Sequence, residues 1–224
     1  MKKVSPDILE ELKEFDSPTI FNGIAVMEGA PNEEYTDHTI RCLLPEFGAV
    51  IGYAVTAEVT TNDADSAALP WDGYYDMLDQ RDGPLIAVIK DVDSRPGRGA
   101  SFGDGMATLH KRLGVAAVII DGTVRDLEGI RRVGMPTYGW GAVPGHGQFN
   151  VTRLDEPLTV GQLRVHPGDL LFVDGDGCVR IPLDRAEEVL DHARKVRDQE
   201  AGIFEFYNSP EFSLAEMRAR RDKK

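Results

Sequence analysis

Short apolar runs, separated by glycine, proline and charged residues, divide the chain into segments of strand and helix length. Apolar and β-branched residues that continue over a strand length predict β-strands. Such segments occupy residues 50–60, 84–92, 115–120 and 136–141. Apolar residues that recur every three or four positions predict amphipathic helices. These segments begin near Ser5 and Ser17 and also occupy residues 71–80, 106–113, 126–133 and 183–208.

The most apolar segment, VAAVII at 115–120, is predicted to be a buried central strand. A helix that stops at Gly114 precedes it and the helix at 126–133 follows it, so strands and helices alternate here. Residues 94–105 are rich in glycine and charge, which predicts a loop. Between residues 149 and 182, short alternating runs broken by glycine and proline predict β-hairpins. The pattern therefore predicts a mixed α/β fold.

Length and composition favour one folded domain. The chain has 224 residues, of which 42% are hydrophobic and 28% are charged. These values are close to those of globular proteins, and the length suffices for one sizeable core. We expect a compact domain over residues 1–208 and a C-terminal extension over residues 209–224.

The charge and the apolar pattern exclude some classes of partner. A formal net charge of −13 argues against a nucleic-acid-binding face, because neutralising phosphates requires clustered Lys and Arg. A basic protein partner is compatible with this negative net charge. The sequence has neither a long apolar run for a membrane helix nor an apolar signal peptide, so we expect no membrane association and a cytoplasmic location. Cys42 and Cys178 lack the spacing of a zinc site, which agrees with a reducing compartment.

Polar residues that could bind a ligand or take part in a reaction flank the predicted central strand. Asp104 stands where the predicted loop meets a helix, and Arg125 and Asp126 follow the strand. The end of such a strand delivers side chains to a sheet edge, where ligand clefts of α/β folds occur. A guanidinium can hold a carboxylate through two hydrogen bonds, and an Asp can hold a hard divalent cation. The amides of Gly105 and Met106, at a helix N-terminus, can receive an anionic group.

A purely structural interpretation fits the same residues. In that alternative Asp104 is only a helix N-cap and Arg125-Asp126 is only a salt bridge in a turn, because such residues are common where strands end. His110, within a predicted helix, and His146, in a glycine-rich loop, are further candidates for ligand binding or proton transfer. The alternative is that neither has such a role, His110 then being a partly exposed helix histidine.

Two longer motifs resemble those of a known family. They are GDGMATLHKRLGVAAVIIDGTVRDLEGI at 103–130 and VHPGDLLFVDGDGCVRIP at 165–182. Both resemble the RraA-like proteins, which include the regulator of ribonuclease E activity and the class II 4-hydroxy-4-methyl-2-oxoglutarate/4-carboxy-4-hydroxy-2-oxoadipate aldolases. The aldolase branch carries an Asp, twenty intervening residues and then Arg-Asp. Asp104 and Arg125-Asp126 have the same spacing.

The resemblance implies a role for each of these residues. Asp126 would hold Mg²⁺ or Mn²⁺, partly through ordered water. Arg125 would bind the substrate carboxylate and stabilise an enolate, assisted by the amides of Gly105 and Met106. Asp104 would orient the water that takes a proton from the substrate hydroxyl. Gly105 stands where relatives usually carry an apolar residue, so a different specificity loop is expected.

The resemblance also implies a fold, an assembly and a reaction. The fold is the swivelling β/β/α arrangement, in which helices pack around two small sheets, and residues 1–208 are its catalytic domain. The site lies between neighbouring subunits of a homotrimer or homohexamer, with Glu200 or Glu205 arriving from the adjacent C-terminal helix. The substrate is a small 2-oxo acid, acted on by a metal-dependent aldolase, an oxaloacetate decarboxylase, or both in one site. The alternative is a non-catalytic, protein-binding regulator of an RNA-processing enzyme.

Overall fold

Strands and helices alternate through most of the chain. The computed structural model describes residues 3–30, 33–64 and 68–221. The strands are β1 (Arg41–Cys42), β2 (Val50–Thr60), β3 (Leu85–Asp91), β4 (Ala100–Phe102), β5 (Val115–Val124), β6 (Thr137–Ala142), β7 (Asn150–Leu154), β8 (Leu158–Val160), β9 (Leu163–Val165), β10 (Leu170–Asp174) and β11 (Gly177–Ile181). The α-helices are α1 (Pro6–Leu12), α2 (Ser17–Ala25), α3 (Trp71–Asp79), α4 (Asp104–Arg112), α5 (Leu127–Val133), α6 (Ala186–Tyr207) and α7 (Leu214–Arg221), and Pro45–Phe47 and Leu183–Arg185 are 3₁₀ helices. Among the described helices, none combines the length and the apolar composition needed to span a bilayer.

Within the described residues, parallel strands form the centre of a nine-stranded mixed sheet. The strands β2, β3, β5 and β6 pair in that order, all in parallel. Antiparallel strands extend the sheet at both ends, with β10 and β11 beyond β2 and β1 beyond β6. The short strand β4 pairs with the end of β5, and β7 pairs with β2. A separate hairpin consists of β8 and β9.

Both faces of the central strands are buried, which explains their nearly continuous apolar sequence. On β3, Leu85, Ala87 and Ile89 belong to the core that α3, α4 and α5 cover. Ile86 and Val88 alternate with them and belong to a second core, beneath the β8–β9 hairpin. Helices α1, α2 and α6 cover a third apolar cluster against β2, β10 and β11. The sheet is therefore the common wall of three cores.

The second core also joins the two ends of the sheet. Tyr138 of β6 and Cys178 of β11 belong to the same buried cluster, although these strands lie near opposite ends of the strand order. A flat sheet cannot bring such positions together, so the sheet curls until it is nearly closed.

The predicted fold class is confirmed, because the chain forms one compact α/β domain with helices around a mixed sheet. The sheets differ from the expected two small ones, since one has nine strands and the other has two. The prediction of a loop over residues 94–105 was wrong for Ala100–Phe102, which is the buried strand β4. The reason is that β5 continues to Val124, so that Ala100 pairs with Thr123 and Phe102 pairs with Val124.

The C-terminal segment turns back on the end of α6. The rings of Phe206 and Phe212 have centroids 5.6 Å apart, and the guanidinium carbon of Arg220 lies 3.9 Å from the centroid of the Phe206 ring. The predicted extension over 209–224 thus contains α7, and residues 222–224 lie outside the described residues. The domain boundary at residue 208 stays a prediction.

Candidate active site

A single cleft brings together residues that the sequence singled out. Its volume is about 280 Å³. The predicted residues along its wall are Asp104, Gly105, Met106, Arg125 and Asp126. Ala100, Ser101, Phe102, Gly103, His146 and Phe149 complete the wall. Two acids, one guanidinium and the first turn of a helix therefore share one small space.

The end of β5 holds Arg125 and Asp126 at the cleft. The amide of Arg125 donates to the carbonyl of Phe102 at 2.8 Å, which ties this end to β4. Asp126 then adopts a left-handed conformation, with φ 58° and ψ 38°, at the N-cap of α5. Asp is among the few residues other than glycine that enter this region at modest cost, and such conformations cluster at functional sites. The sharp turn leaves the Asp126 side chain at the cleft wall rather than in the helix.

Gly103 makes room for the Arg125 and Asp126 side chains. A Cβ atom on Gly103 would lie 3.0 Å from Asp126 Oδ2 and 3.3 Å from Arg125 Nε. The two side chains form an ion pair, with Nε and Oδ2 3.1 Å apart. Because 39% and 42% of their surfaces remain exposed, the pair contributes little to stability and both groups stay accessible to a ligand.

The N-terminus of α4 forms the neighbouring part of the wall. Gly103 occupies its N-cap position and no side chain caps this end. The first helical hydrogen bond runs from the amide of Ala107 to the carbonyl of Gly103, at 2.9 Å. The amides of Gly105 and Met106 in this first turn therefore have no intrahelical acceptor and carry the positive end of the helix dipole. The alternative of Asp104 as a mere N-cap was wrong, because the N-cap is Gly103.

The carboxyl group of Asp104 packs directly on the backbone of α5. A Cβ atom on Gly129 would lie 2.6 Å from Asp104 Cβ and 2.8 Å from Asp104 Cγ, closer than real side chains approach. Gly129 therefore lets α4 and α5 come together with Asp104 between them. This contact fixes Asp104 relative to Asp126, which is three residues before Gly129.

We expect Gly129→Ala to displace Asp104 and to reduce turnover of the 2-oxo acid that the family resemblance implies by on the order of 10²-fold, because a shift of about 1 Å can cost that much. Steady-state kinetics and circular dichroism of the variant measure this. Gly175→Ala is the matched control, since a Cβ at Gly175 meets no atom within 4 Å and its φ is not positive. Unchanged turnover in Gly129→Ala would show that the position of Asp104 is irrelevant.

His110 lies behind the cleft as a buried structural residue. Its side chain is fully buried, its Nδ1 lies 2.8 Å from the carbonyl oxygen of Met106 and its Nε2 lies 2.7 Å from Tyr74 Oη. A carbonyl oxygen only accepts, so Nδ1 carries the proton and Nε2 accepts from the Tyr74 hydroxyl. Burial lowers the pKa of His110 to about 4, so the ring is neutral at physiological pH. His110 is therefore a structural residue, and the expectation that it would be partly exposed was wrong, because Tyr74 and the Met106 carbonyl satisfy both ring nitrogens in the interior.

The depressed pKa of His110 predicts acid sensitivity of the fold. The unfolded state binds a proton near pH 6.5 and the folded state only near pH 4, so stability is lost as the pH falls through this window. We expect a loss of about 2 kcal/mol in the free energy of unfolding between pH 7.5 and pH 5 from this group. Urea unfolding of the wild type and of His110→Gln measures it. An equally steep pH dependence in His110→Gln would contradict the assignment.

Asp121 and the predicted residues Glu200 and Glu205 do not line the cleft of this chain. Asp121 is buried within β5, where it accepts from Trp140 Nε1 at 3.0 Å and lies 3.7 Å from Lys90 Nζ. Its pKa is raised by burial. Glu200 and Glu205 belong to the last turns of α6, and neither lines the cleft of the same chain.

Comparison with known proteins assigns the family. A family model described as RraA-like, Aldolase/RraA, matches residues 9–180. The chain belongs to the RraA-like family. A Halalkalibacterium halodurans protein provisionally named 4-hydroxy-4-methyl-2-oxoglutarate aldolase is 29% identical over 160 residues, which cover 70% of this chain and 72% of that protein. The resemblance stated from the two motifs is thereby confirmed.

Two solved structures share the RraA-like fold. An uncharacterized protein from Pseudomonas syringae pv. tomato has a TM-score of 0.77 at 22% identity, over 98% of this chain and 96% of its own. Streptomyces coelicolor RraAS2, described as an unusual member of the RNase ES inhibitor RraA protein family, has a TM-score of 0.72 at 22% identity, over 89% of this chain and 97% of its own. At this identity the likeness establishes the fold alone.

The donor set of this RraA-like cleft suits one kind of metal ion. Within the described residues, no three His, Cys, Asp or Glu side chains converge as a metal cage. Mg²⁺ is usually bound through one or two carboxylates and keeps several waters. The accessible carboxylate of Asp126, with Asp104 on the same wall, fits that requirement.

Sequence reasoning missed the apolar part of the RraA-like cleft. Phe102 and Phe149 line the cleft, as does His146, which the sequence raised only as a candidate. Phe149 follows a glycine-rich loop and carries no periodic signal. Gly103 and Gly129 were missed as well, because only a structure shows that neighbouring side chains leave no room for a Cβ atom at these two positions.

Proposed function

We propose that this RraA-like protein is a divalent-metal-dependent carbon–carbon lyase that acts on a small 2-oxo acid. The reaction is retro-aldol cleavage by a class II pyruvate aldolase, such as 4-hydroxy-4-methyl-2-oxoglutarate aldolase, or decarboxylation of oxaloacetate in the same site. The observation that carries the proposal is the convergence of Arg125, Asp126, Asp104 and an uncapped helix N-terminus on one cleft. A relative named as an aldolase supports the same kind of reaction at the family level.

The positive groups of the cleft bind the acidic end of the substrate. Arg125 holds the carboxylate through its guanidinium, and the amides of Gly105 and Met106 donate to an oxygen of the same end. These donors are already in place before the substrate arrives, so they stabilise the negative charge that develops when the bond breaks. Such preorganised donors lower the energy of the enolate more than that of the bound substrate.

Asp126 is the residue that holds the cation, which we propose to be Mg²⁺ or Mn²⁺. Bound there, the ion supplies a Lewis acid for the 2-oxo group. The carboxylate of Asp126 also pairs with Arg125 Nε, which fixes the orientation of both groups. Asp126 therefore fixes the distance between the cation and the Arg125 guanidinium, the two positive groups that contact the substrate.

Asp104 handles the proton in the proposed cleavage. It orients a water that takes the proton of the C4 hydroxyl, while the bond between C3 and C4 breaks and its electron pair remains on C3. The C4 fragment leaves as an aldehyde or ketone, and C3 of the pyruvate enolate then takes a proton. In decarboxylation, CO₂ leaves in place of the carbonyl fragment, and the same enolate results.

We further propose that the site is completed by a second subunit of a homotrimer or homohexamer. The described residues of one chain bring only Asp104 and Asp126 to the cleft as acids. Glu200 or Glu205 of a neighbouring copy is the added acid, which binds the water shell around the cation. The two residues lie on α6 where it extends past the core.

Removal of divalent metal is expected to abolish pyruvate release, and Mg²⁺ or Mn²⁺ is expected to restore it, because oxygen ligands select hard cations. Release from 4-hydroxy-4-methyl-2-oxoglutarate and from oxaloacetate is followed with lactate dehydrogenase, and the rate with metal but without protein is subtracted. Circular dichroism in the chelator checks that the chain stays folded.

Two outcomes would contradict the proposal in different ways. Full activity in excess chelator would remove the metal from the mechanism. No activity on any 2-oxo acid, with metal present and the fold intact, would favour the alternative of a non-catalytic regulator of an RNA-processing enzyme. That alternative needs no fixed spacing between Asp104 and Arg125, and for this reason the lyase is our first choice.

A further inference from the structure

The end of α6 leaves the body of the domain and folds with α7 into a hairpin, which we call the arm (residues 198–221). Arg197 still rests on the body, because its guanidinium carbon lies 3.8 Å from the centroid of the Phe15 ring. From Arg197 to Tyr207 the helix rises about 15 Å. Within the described residues, the hydrogen bonds and ring contacts of residues 204–220 stay inside the arm.

The arm has a defined shape but only a small core. Ser213 caps α7, since its Oγ accepts from the amide of Glu216 at 3.1 Å. The rings of Phe206, Tyr207 and Phe212 meet in pairs, with centroids 5.6 to 6.0 Å apart. A helix of eight residues such as α7 is not stable alone in water and depends on tertiary packing. Further burial against another surface would therefore stabilise the arm.

The apolar surface of the arm is concentrated and exposed. Ten large hydrophobic side chains are exposed in the described residues, and five of them lie between positions 203 and 214. These five are Ile203, Phe204, Tyr207, Phe212 and Leu214. A groove of about 520 Å³ also runs between α6 and α7, with Phe206 and Met217 in its wall. Exposed apolar side chains gathered in one patch favour contact with another protein.

Charge indicates which protein fits the arm. Residues 209–224 contain five Lys or Arg and three Asp or Glu, whereas the whole chain has a net charge of −13. Arg220 pairs with Glu216 inside α7. Arg218 is exposed and has no acidic partner among the described residues. A basic arm on an acidic chain is complementary to the surface of a second copy of the same chain.

Helix α3 offers the matching acidic face. Asp72, Asp76 and Asp79 are exposed, and their spacing brings them to one side of this helix. Among the described residues, no Lys or Arg pairs with these three acids. Arg81, which follows the helix, pairs with Asp155 instead, at 2.6 Å. This side of α3 therefore carries negative charge that its own chain leaves without a cation.

Helix α3 also stands beside the candidate cleft. Its Trp71 ring stacks on Phe149, which lines the cleft, with centroids 4.8 Å apart. Leu69, directly before α3, is 41% exposed and adds an apolar contact point. A helix docked here lies close to the cleft of the chain that receives it.

We propose that the arm of one copy docks on the acidic face of α3 of a neighbouring copy. The apolar residues of the arm pack against α3 and Leu69, and Arg218 pairs with the α3 acids. The inference rests on the proposed shared site and names the contact that builds it, since a docked arm brings Glu200 or Glu205 toward the cleft of its neighbour.

The apolar half of the contact is tested by a paired change, Phe204→Ser with Leu214→Ser, in the full chain. Both side chains are more than half exposed, so the domain is expected to stay folded, which circular dichroism checks. Sedimentation equilibrium should show association weakened by at least about tenfold, because the contact loses two apolar groups. Val26→Ser at the end of α2, where the side chain is 61% exposed, is the matched control and should leave association unchanged.

The charged half is tested by exchanging charges. Arg218→Glu and Asp76→Lys should each weaken association at low salt by at least about fivefold, because each places like charges together. A chain with both changes should recover most of the loss, since every interface of a ring then has opposite charges again. Asp7→Lys, a change of an exposed acid on α1, is the control and should have little effect.

A monomeric wild type, or unchanged association in the Phe204/Leu214 variant, would overturn the docking of the arm. Failure of the double charge variant to recover would overturn α3 as its place. Pyruvate release, measured in parallel, tests the proposed function separately. Association as expected without any release would support the arm and contradict the lyase, and full release by a monomeric variant would support the arm and contradict the shared site. If the Phe204/Leu214 variant does not fold, the charge exchange decides.

Discussion

Changing Arg125 to alanine is expected to lower kcat/KM on a 2-oxo acid by about 10²- to 10³-fold while the chain stays folded. The guanidinium is the one permanent cation among the described residues that line the cleft, so its loss removes charge stabilisation from the proposed enolate. The fold should persist because the ion pair with Asp126 is 39% and 42% exposed and contributes little to stability. Arg125→Lys should restore only a small part of the rate, because an ammonium cannot form the two parallel bonds of the guanidinium.

Asp126→Asn is expected to reduce the rate as strongly, since an amide is a poor ligand for a hard cation. Asn is the suitable substitution because it tolerates the left-handed conformation at φ 58°, whereas Asp126→Ala adds backbone strain to the lost carboxylate. Comparing Asn with Ala therefore separates the chemical effect from a structural one. Added Mn²⁺ should not rescue either variant fully.

Arg131→Ala is the matched control for the Arg125 and Asp126 variants. Arg131 lies on α5, forms exposed ion pairs with Glu46 and Glu128, and does not line the cleft. Its removal should leave turnover within about twofold, since exposed pairs contribute little. Near-wild-type activity in both Arg125→Ala and Asp126→Asn would show that the chemistry occurs elsewhere.

The parts of the fold that local patterns determine were predictable. Residues 115–120 were predicted as a buried strand from six consecutive apolar residues, and they form the first part of β5 between β3 and β6. The helices near Ser17 and at 183–208 were predicted from their apolar periodicity, and α2 and α6 lie there. The juxtaposition of Asp104 with Arg125 and Asp126 also followed, since Asp104 begins α4 and the other two directly follow β5.

What escaped prediction depends on contacts between distant segments. β4 lies in a glycine-rich stretch, and it is a strand only because the end of β5 offers it a pairing edge. Asp121 and Thr123 are polar residues inside β5, and they are accommodated because Asp121 bonds Trp140 and Thr123 Oγ1 donates to the carbonyl of Gly99. Phe149 reaches the cleft through a loop whose path no periodicity encodes. Local sequence identifies the chemical groups here, and tertiary packing decides what surrounds them.

The second half of α6 is the place where we propose that a neighbouring subunit makes contact. The buried residues in the first half of α6 are Ala186, Val189, Leu190 and Ala193. In the second half only Phe206 is buried, and the C-terminal segment covers it. Between Ala193 and Phe206 the helix extends past the core, with Ile203 and Phe204 exposed. These exposed apolar side chains agree with the proposed contact between subunits. A neighbouring copy that covers them would also receive Glu200 or Glu205.

Mixing two inactive variants is expected to restore activity if the site is shared. One variant is Asp126→Asn and the other is Glu200→Gln or Glu205→Gln, each chosen because it is inactive alone. In a ring, every interface carries one site, which takes Asp126 from one chain and the Glu from the next. Random exchange of equal amounts therefore rebuilds about one quarter of the sites with both wild-type residues. Light scattering should show a trimer or a hexamer.

The control for this complementation is Glu187→Gln, an exposed acid at the opposite end of α6, which should keep full activity alone. Native mass spectrometry of differently tagged chains verifies that the subunits exchange. A fully active monomer would rule out the shared site. So would verified exchange without recovery for both Glu variants. We assign Asp126 as the single cation ligand within one chain. Such a result would therefore leave Asp104, among the described residues of the cleft, as the only other acid available to complete the shell.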